Sequence, residues 1–167
     1  GFLELIIGAS DGIGYVYTGK TVFYPSSGTF TSAALDSGGN LEYGKLSWNG
    51  DLPSQVGANA IKFHVSASAD NNTWTDFMGP DGSANSYFQA QSAAGTVTIS
   101  GPLINGQRYL KYKVYLSTVD QFYTPALNDV SITFSDNNAV DRLISDVSDN
   151  TFEITRPEIT ISAPGNA

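Results

Sequence analysis

The feature that most constrains this chain is an alternation of apolar and polar residues, repeated in short segments through its middle. Ile61, Phe63 and Val65 are separated by polar residues, and residues 110–116 repeat the pattern. A period of two matches a strand with one buried face. Turn residues such as Asp36–Asn40 separate the segments. This pattern predicts an all-β, antiparallel sandwich and not a βαβ protein.

The alternation also predicts which side of each strand is buried. We expect a core within a sandwich that spans residues 25–135. Its members are Phe30, Leu46, Trp48, Ile61, Phe63, Val65, Leu110, Tyr112, Val114, Leu116, Val130, Ile132 and Phe134. The polar positions between them should face solvent, because successive side chains point to opposite faces of a strand. A register error of one residue would reverse these assignments.

The C-terminal flank, residues 136–167, departs from the period of two. Apolar residues recur there at positions i, i+3, i+4 and i+7, namely Val140, Leu143, Ile144 and Val147. This spacing predicts one short helix. Two strands, Thr151–Thr155 and Glu158–Ser162, are expected to follow it.

The N-terminal flank, residues 1–24, contains the apolar run Phe2–Ile7. Two arrangements would bury this run. It can pair within the chain with the strands predicted in residues 151–162, forming an extra β element. It can instead complete the sheet of a neighbouring subunit. Repeated head to tail, the second arrangement builds a fibre. The sequence is compatible with both arrangements.

Composition argues against several functional classes. The chain has no Cys, a single His, and 8 Lys and Arg against 16 Asp and Glu, for a formal net charge of −8. Nucleic acid is not an expected partner, because its phosphates need clustered basic residues. Membrane insertion is not expected either, because every apolar run is far shorter than the roughly 20 residues that span a bilayer. Abundant Gly and only 14% charged residues favour an extracellular or cell-surface β-protein.

Seven segments in the sandwich carry a family resemblance. They are Ser27–Ser32, Gly44–Trp48, Phe63–Ser66, Asp70–Phe77, Gly79–Gly82, Arg108–Thr118 and Thr124–Val130. Their order and spacing resemble the galactose-binding-like (discoidin-like) jelly-roll domains of bacterial and archaeal surface and pilus-associated proteins. The resemblance implies a β-sandwich with a binding or spacer role and no catalytic residues. It also implies that a structural calcium ion is a candidate cofactor.

The first candidate site is the outward face of three predicted strands. Its candidate ligand-binding residues are Tyr43, Lys45, Lys62, His64, Tyr109, Lys111, Lys113 and Tyr115. If the strands are neighbours, sugar rings can stack on the tyrosines while Lys and His bind hydroxyls or a uronate. The alternative is an ordinary solvent face on which lysines protect a sheet edge.

The second candidate is Trp74, which follows the turn Asp70–Thr73. It can act as a stacking platform, with Phe122 and Tyr123 contributing from another loop. The alternative is a packing residue that holds the turn against the sandwich.

Carboxylates in or beside turns are the candidate calcium ligands, because Ca²⁺ prefers oxygen ligands. They are Asp36, Asp70, Asp76 and Asp129. The alternative is that they are solvated turn residues. No catalytic site is expected, because the single His64 has no nucleophile motif near it and a zinc site without Cys needs more than one His.

These observations predict a non-enzymatic, extracellular interaction module that binds glycan or another surface polymer, as in adhesion. The alternative is a structural subunit of a pilus, surface filament or phage tail that assembles through strand exchange.

Overall fold

The computed structural model describes residues 2–8, 14–20, 23–89, 91–135, 141–146 and 152–153. The strands are β1 (Phe2–Gly8), β2 (Gly14–Lys20), β3 (Ser27–Thr31), β4 (Leu35–Asp51), β5 (Ile61–Ser68), β6 (Phe88–Gln89), β7 (Gly95–Thr98), β8 (Gln107–Ser117), β9 (Ala126–Ser135), β10 (Asp141–Asp146) and β11 (Phe152–Glu153). Within these described residues, one 3-10 turn covers Ser54–Val56. All strand pairs are antiparallel, so the predicted all-β antiparallel fold is confirmed. No helix in the described part is long and apolar enough to cross a membrane.

Nine of the described strands are connected by hydrogen bonds. Six follow the order β10-β9-β4-β8-β5-β6, while β3 pairs with β8, β7 with β4 and β11 with β9. Strand β4 takes part in both of the sheets that these strands form. Its residues Leu35–Leu41 pair with β8, and Glu42–Asp51 pair with β9. We call β3, β8, β5, β6 and the start of β4 the front sheet. The back sheet consists of β7, the rest of β4, β9, β10 and β11.

The residues Asp36–Asn40, predicted as a turn, form an irregular part of β4 instead. Asp36 pairs with Tyr109 and Leu41 pairs with Gln107, so five steps along β4 oppose two along β8. Gly38 has φ +79°, a left-handed conformation that glycine adopts without steric penalty. Its N–H donates to Asp36 Oδ1 at 2.8 Å. The extra residues lie where β4 passes from the front sheet to the back sheet.

The apolar residues of the two sheets form one core. Trp48 of the back sheet packs on Phe63 of the front sheet with ring centroids 5.1 Å apart, and Phe63 lies 6.2 Å from Tyr112. Every predicted core position is buried except Phe30, which is partly buried against the same cluster. Burying a large apolar side chain stabilises a fold by about 1.5–3 kcal/mol. The predicted register is therefore confirmed for the core.

Tyr43 belongs to this core, so its predicted outward orientation is wrong. It is 2% exposed. Tyr43 pairs with Phe134 and Leu46 pairs with Ile132, so three steps along β4 oppose two along β9. Such a bulge places both β4 residues on the same face. The Tyr43 hydroxyl donates to the Arg108 carbonyl oxygen at 3.0 Å, and burial raises the pKa of this phenol.

The helix predicted in the C-terminal flank is also wrong. Asp141–Asp146 is strand β10, in which Leu143 pairs with Thr133 and Ile144 with Ile132 of β9. Pairing satisfies the backbone groups along this edge of β9, which a helix would leave open. Val140, Val147 and the strand predicted at Glu158–Ser162 lie outside the described residues. Of the strand predicted at Thr151–Thr155, residues Phe152–Glu153 form β11.

The N-terminal flank forms a hairpin of its own. Strand β1 pairs with β2 from Phe2 opposite Lys20 to Gly8 opposite Gly14. These two strands make a separate two-stranded sheet. The predicted pairing of this flank with residues 151–162 is wrong for the described part, because Phe152–Glu153 pair with β9.

Close contact between β4 and β9 makes Gly50 sensitive to substitution. A Cβ atom at Gly50 would collide with the carbonyl oxygen of Ala126. We expect Gly50→Ala to lower the free energy of unfolding by about 1–3 kcal/mol, since backbone atoms must move apart. Gly101→Ala is the control, because a Cβ atom there meets nothing within 4 Å. Urea denaturation of both variants measures the difference, and equal stability would contradict this contact.

Candidate ligand-binding site

The candidate site lies on the outer surface of the front sheet, the surface that faces away from the core. Side chains from β8, from β5 and from the segment that follows β5 form it. Across the two strands, His64 pairs with Lys113 and Lys62 pairs with Tyr115. The chain then turns back along β5, and the backbones of Met78 and Val65 exchange hydrogen bonds of 2.9 and 3.0 Å. This returning segment, which runs from the end of β5 to β6, places several aromatic side chains next to the lysines of β5 and β8. The surface therefore combines residues from sheet and loop.

Three lysines on this surface lie over aromatic rings. The distances from Nζ to ring centre are 3.9 Å for Lys111 over Trp74, 4.2 Å for Lys113 over Phe77 and 5.1 Å for Lys62 over Tyr87. Each such pair contributes about 0.5–1 kcal/mol at an exposed site. We define the aromatic–basic face as Lys62, His64, Trp74, Phe77, Tyr87, Lys111, Lys113 and Tyr115.

His64 connects the parts of the aromatic–basic face. Its ring stacks on Tyr87 with centroids 4.4 Å apart and an angle of 9° between the planes. Because the Ser86 carbonyl can only accept, Nε2 donates to it at 2.8 Å. Nδ1 is then the acceptor for the Tyr115 hydroxyl at 3.0 Å. Both bonds are satisfied by a neutral imidazole.

Burial lowers the pKa of His64 below its usual value. The hydrogen bond to Ser86 acts in the opposite direction, and the charge of Lys113 lowers the pKa further. The residue is buried, with 2% of its surface exposed. His64 therefore holds the face together as a neutral group.

The solvent exposure predicted for His64 is wrong, although the register of β5 is right. Phe63 and Val65 are fully buried on the inner side, as predicted. On the outer side, the returning segment covers the strand, and Ser66 Oγ donates to the Thr75 carbonyl oxygen at 2.7 Å. Strand β5 is thus buried on both sides. The alternation within one strand predicts which side faces the core. It does not predict that a distant segment will bury the other side as well.

The structure brings together most of the predicted ligand-binding residues. Those on the aromatic–basic face are Lys62, His64, Trp74, Lys111, Lys113 and Tyr115. Tyr109 lies further along β8, opposite Ser68, with the Arg108 guanidinium 5.1 Å from its ring centre. Lys45 is on the back sheet, where its N–H donates to Thr133 Oγ1 at 2.9 Å, and Tyr43 is in the core.

Phe77 and Tyr87 were not predicted as site residues. Both lie in the irregular segment between β5 and β6, so neither has the period of two that identifies a face. Their only signal in the sequence is aromatic character near Trp74 and near the start of β6.

A hollow of about 300 Å³ adjoins Trp74. Trp74 lines this hollow together with the polar residues Asp70, Thr73 and Gln107. The loop is tightly held, because Asp70 Oδ1 accepts hydrogen bonds from the N–H groups of Thr73 at 2.7 Å and Asn72 at 2.9 Å. These bonds lower the pKa of Asp70. An aromatic wall beside fixed polar groups can stack a sugar ring and bind its hydroxyls.

Phe122 and Tyr123 do not share a platform with Trp74. Trp74 lies beside Lys111, whereas the loop with Phe122 and Tyr123 begins after Ser117, at the other end of β8. Six strand residues span about 20 Å. Phe122 instead packs on Phe23 with ring centroids 4.8 Å apart.

The predicted calcium ligands do not meet at one point. Asp36 binds Arg108 through two hydrogen bonds of 2.8 Å, which hold the pKa of its carboxyl at about 2. Asp70 closes its own turn, Asp76 is exposed, and Asp129 Oδ1 is buried without a hydrogen-bond partner. Within the described ranges, no three His, Asp or Glu side chains cluster as a metal site. Bound calcium stays a prediction from the resemblance.

Comparison with protein-family models, curated proteins and solved structures finds no match to this chain. The resemblance to galactose-binding-like domains therefore stays a prediction.

The buried state of His64 predicts a stability that depends on pH. The unfolded chain takes up a proton near pH 6.5, whereas the folded chain resists protonation at this site. Stability from this group is therefore complete above about pH 6.5 and falls as the pH drops towards the lower pKa of the folded state. We expect the melting temperature of the intact chain to fall more between pH 7 and pH 5 than that of His64→Gln. The carboxylates are the same in both proteins, so parallel curves would contradict the prediction.

Proposed function

We propose that this protein is a non-enzymatic interaction module that binds glycan through the aromatic–basic face, outside the cell or at the cell surface. The observation that carries the proposal is the set of lysine–ring pairs gathered on one outer surface, beside the hollow at Trp74. The resemblance to galactose-binding-like domains points in the same direction.

The chemistry of the face suits sugars. A sugar ring presents apolar C–H groups that stack on an aromatic face, and its hydroxyls bind charged and amide groups. Trp74 supplies such a ring at the edge of the hollow, with Asp70 and Gln107 nearby. A lysine ammonium has three donors, and one that faces a ring keeps others for a ligand.

The network around His64 adds preorganisation. Tyr87 is stacked on an imidazole that is itself bound to Ser86 and Tyr115. Side chains already held in one conformation lose little entropy when a ligand binds. The face can therefore bind without a change in the backbone.

Substitution of Trp74 tests this proposal. A glycan array screened with the intact chain identifies the ligand, and calorimetry then measures its affinity. We expect Trp74→Ala to weaken binding by about 10-fold or more, because a central aromatic contact is lost. Phe122→Ala removes a comparable ring from the far end of β8 and should leave affinity unchanged. The opposite result would place the site on the loop of Phe122, and no binding to any glycan would overturn the proposal.

A second function, assembly into a pilus, surface filament or phage tail, is favoured by one observation. Among the described strands, β1 and β2 pair only with each other. An isolated two-stranded hairpin is marginally stable in water. Its outer edges offer backbone groups to a strand of another copy.

Deletion of residues 1–20 tests this second function. If the hairpin joins copies of the chain, the intact protein should sediment as oligomers and the truncated protein as a monomer. Electron microscopy of the intact protein would then show fibres. A monomeric intact chain at high concentration would contradict assembly and leave glycan binding untouched.

A further inference from the structure

We infer that the ligand of the aromatic–basic face is an anionic glycan chain, whose sugars carry carboxylate or sulfate groups. This inference rests on the proposed function and specifies the substrate class of the same site. It follows from the distribution of charge, from the line that the lysines form and from the neutral state of His64.

Positive charge is concentrated on this face of an acidic protein. The chain has a formal net charge of −8, yet Lys62, Lys111 and Lys113 lie together on one surface. The neighbouring cation, Arg108, is neutralised by Asp36 at 2.8 Å. That is the only salt bridge in the described ranges, so the three lysines have no carboxylate partner there. The exposed Asp76, adjacent in sequence to Phe77, forms no ion pair with them.

The three lysines follow one another along the sheet. Lys111 and Lys113 occupy successive outward positions of β8, and Lys62 lies opposite Tyr115, the next such position. The four steps along the strand from Lys111 to Tyr115 span about 13 Å. This length exceeds a single sugar ring, so a chain with repeated anionic groups can contact the lysines in turn.

The aromatic rings hold these charges in place. Each ammonium lies within 5.1 Å of a ring centre, which limits the conformations of a long and flexible side chain. Mutual repulsion of like charges in this row is relieved when an anion binds among them. His64 adds no charge because both of its ring nitrogens are engaged as a neutral imidazole. A neutral glycan would use the rings and accept hydrogen bonds from the ammonium groups, but it would not neutralise the three charges.

Binding of three polysaccharides tests the inference. The intact chain is titrated with polygalacturonate, a uronate polymer, with heparin, a sulfated polymer, and with neutral galactan, each at low and at high salt. We expect at least one anionic polymer to bind about 10-fold or more tightly than galactan. Added salt should weaken that binding, because ions screen exposed charges. The preferred anionic polymer identifies carboxylate or sulfate as the group recognised.

Charge-removing variants locate the effect on the face. Lys113→Gln should weaken binding of the anionic polymer by about 3-fold, as expected for one exposed ion pair. The triple change Lys62→Gln, Lys111→Gln and Lys113→Gln should weaken it by more than about 10-fold. Lys45→Gln is the matched control, because it removes the same charge from the back sheet and should leave affinity unchanged. Melting temperatures of all variants verify that each is folded.

The possible failures are distinguishable. Galactan binding that survives the triple change and is lost in Trp74→Ala would overturn the anionic inference and support the proposed function. Absence of binding to any polysaccharide would overturn both. An equal loss in Lys45→Gln would show that net charge, and not this face, attracts the polymer. Tighter binding of a DNA duplex than of either anionic polysaccharide would also overturn the inference.

Discussion

The passage of β4 between the two sheets is the constraint on which the rest of the structure depends. A 17-residue strand pairs first with β8 and then with β9, so its backbone links the two layers. The register shifts at Asp36–Leu41 and at Tyr43–Leu46 let one strand serve both sheets without losing its apolar contacts. The packing of Trp48 on Phe63 follows from this geometry.

Strand β5 links the rigid core to the outer surface of the front sheet. Its inner residues are core residues, whereas its outer residue His64 is enclosed by Tyr87, Ser86 and Tyr115. A strand enclosed on both sides has little freedom to shift, because a move that suits one side disrupts the other. The lysines beside His64 are therefore presented on a rigid support. Rigidity of this kind is what a recognition surface requires.

Much of the fold could be predicted from the sequence because local alternation reports burial directly. It identified the faces of β5, β8 and β9, with Phe63 and Val65 inward, and it placed Lys111 and Lys113 on one side. It failed where pairing with a distant strand decides conformation. The bulge that turns Tyr43 inward depends on β9, and Asp141–Asp146 forms a strand because an edge of β9 is available to it. Phe77 and Tyr87 escaped prediction because only the return of the chain along β5 brings them to the lysines.

The different surroundings of Trp48 and Trp74 give the molecule a built-in optical reporter. The chain has 2 Trp residues; Trp48 is buried between the sheets, whereas Trp74 is partly open to solvent with an ammonium 3.9 Å from its ring centre. A soluble collisional quencher will therefore reach the indole of Trp74 and spare that of Trp48. Any molecule that lies on the aromatic–basic face will shield Trp74 or displace Lys111 from it, so occupancy can be followed by fluorescence without attaching a dye.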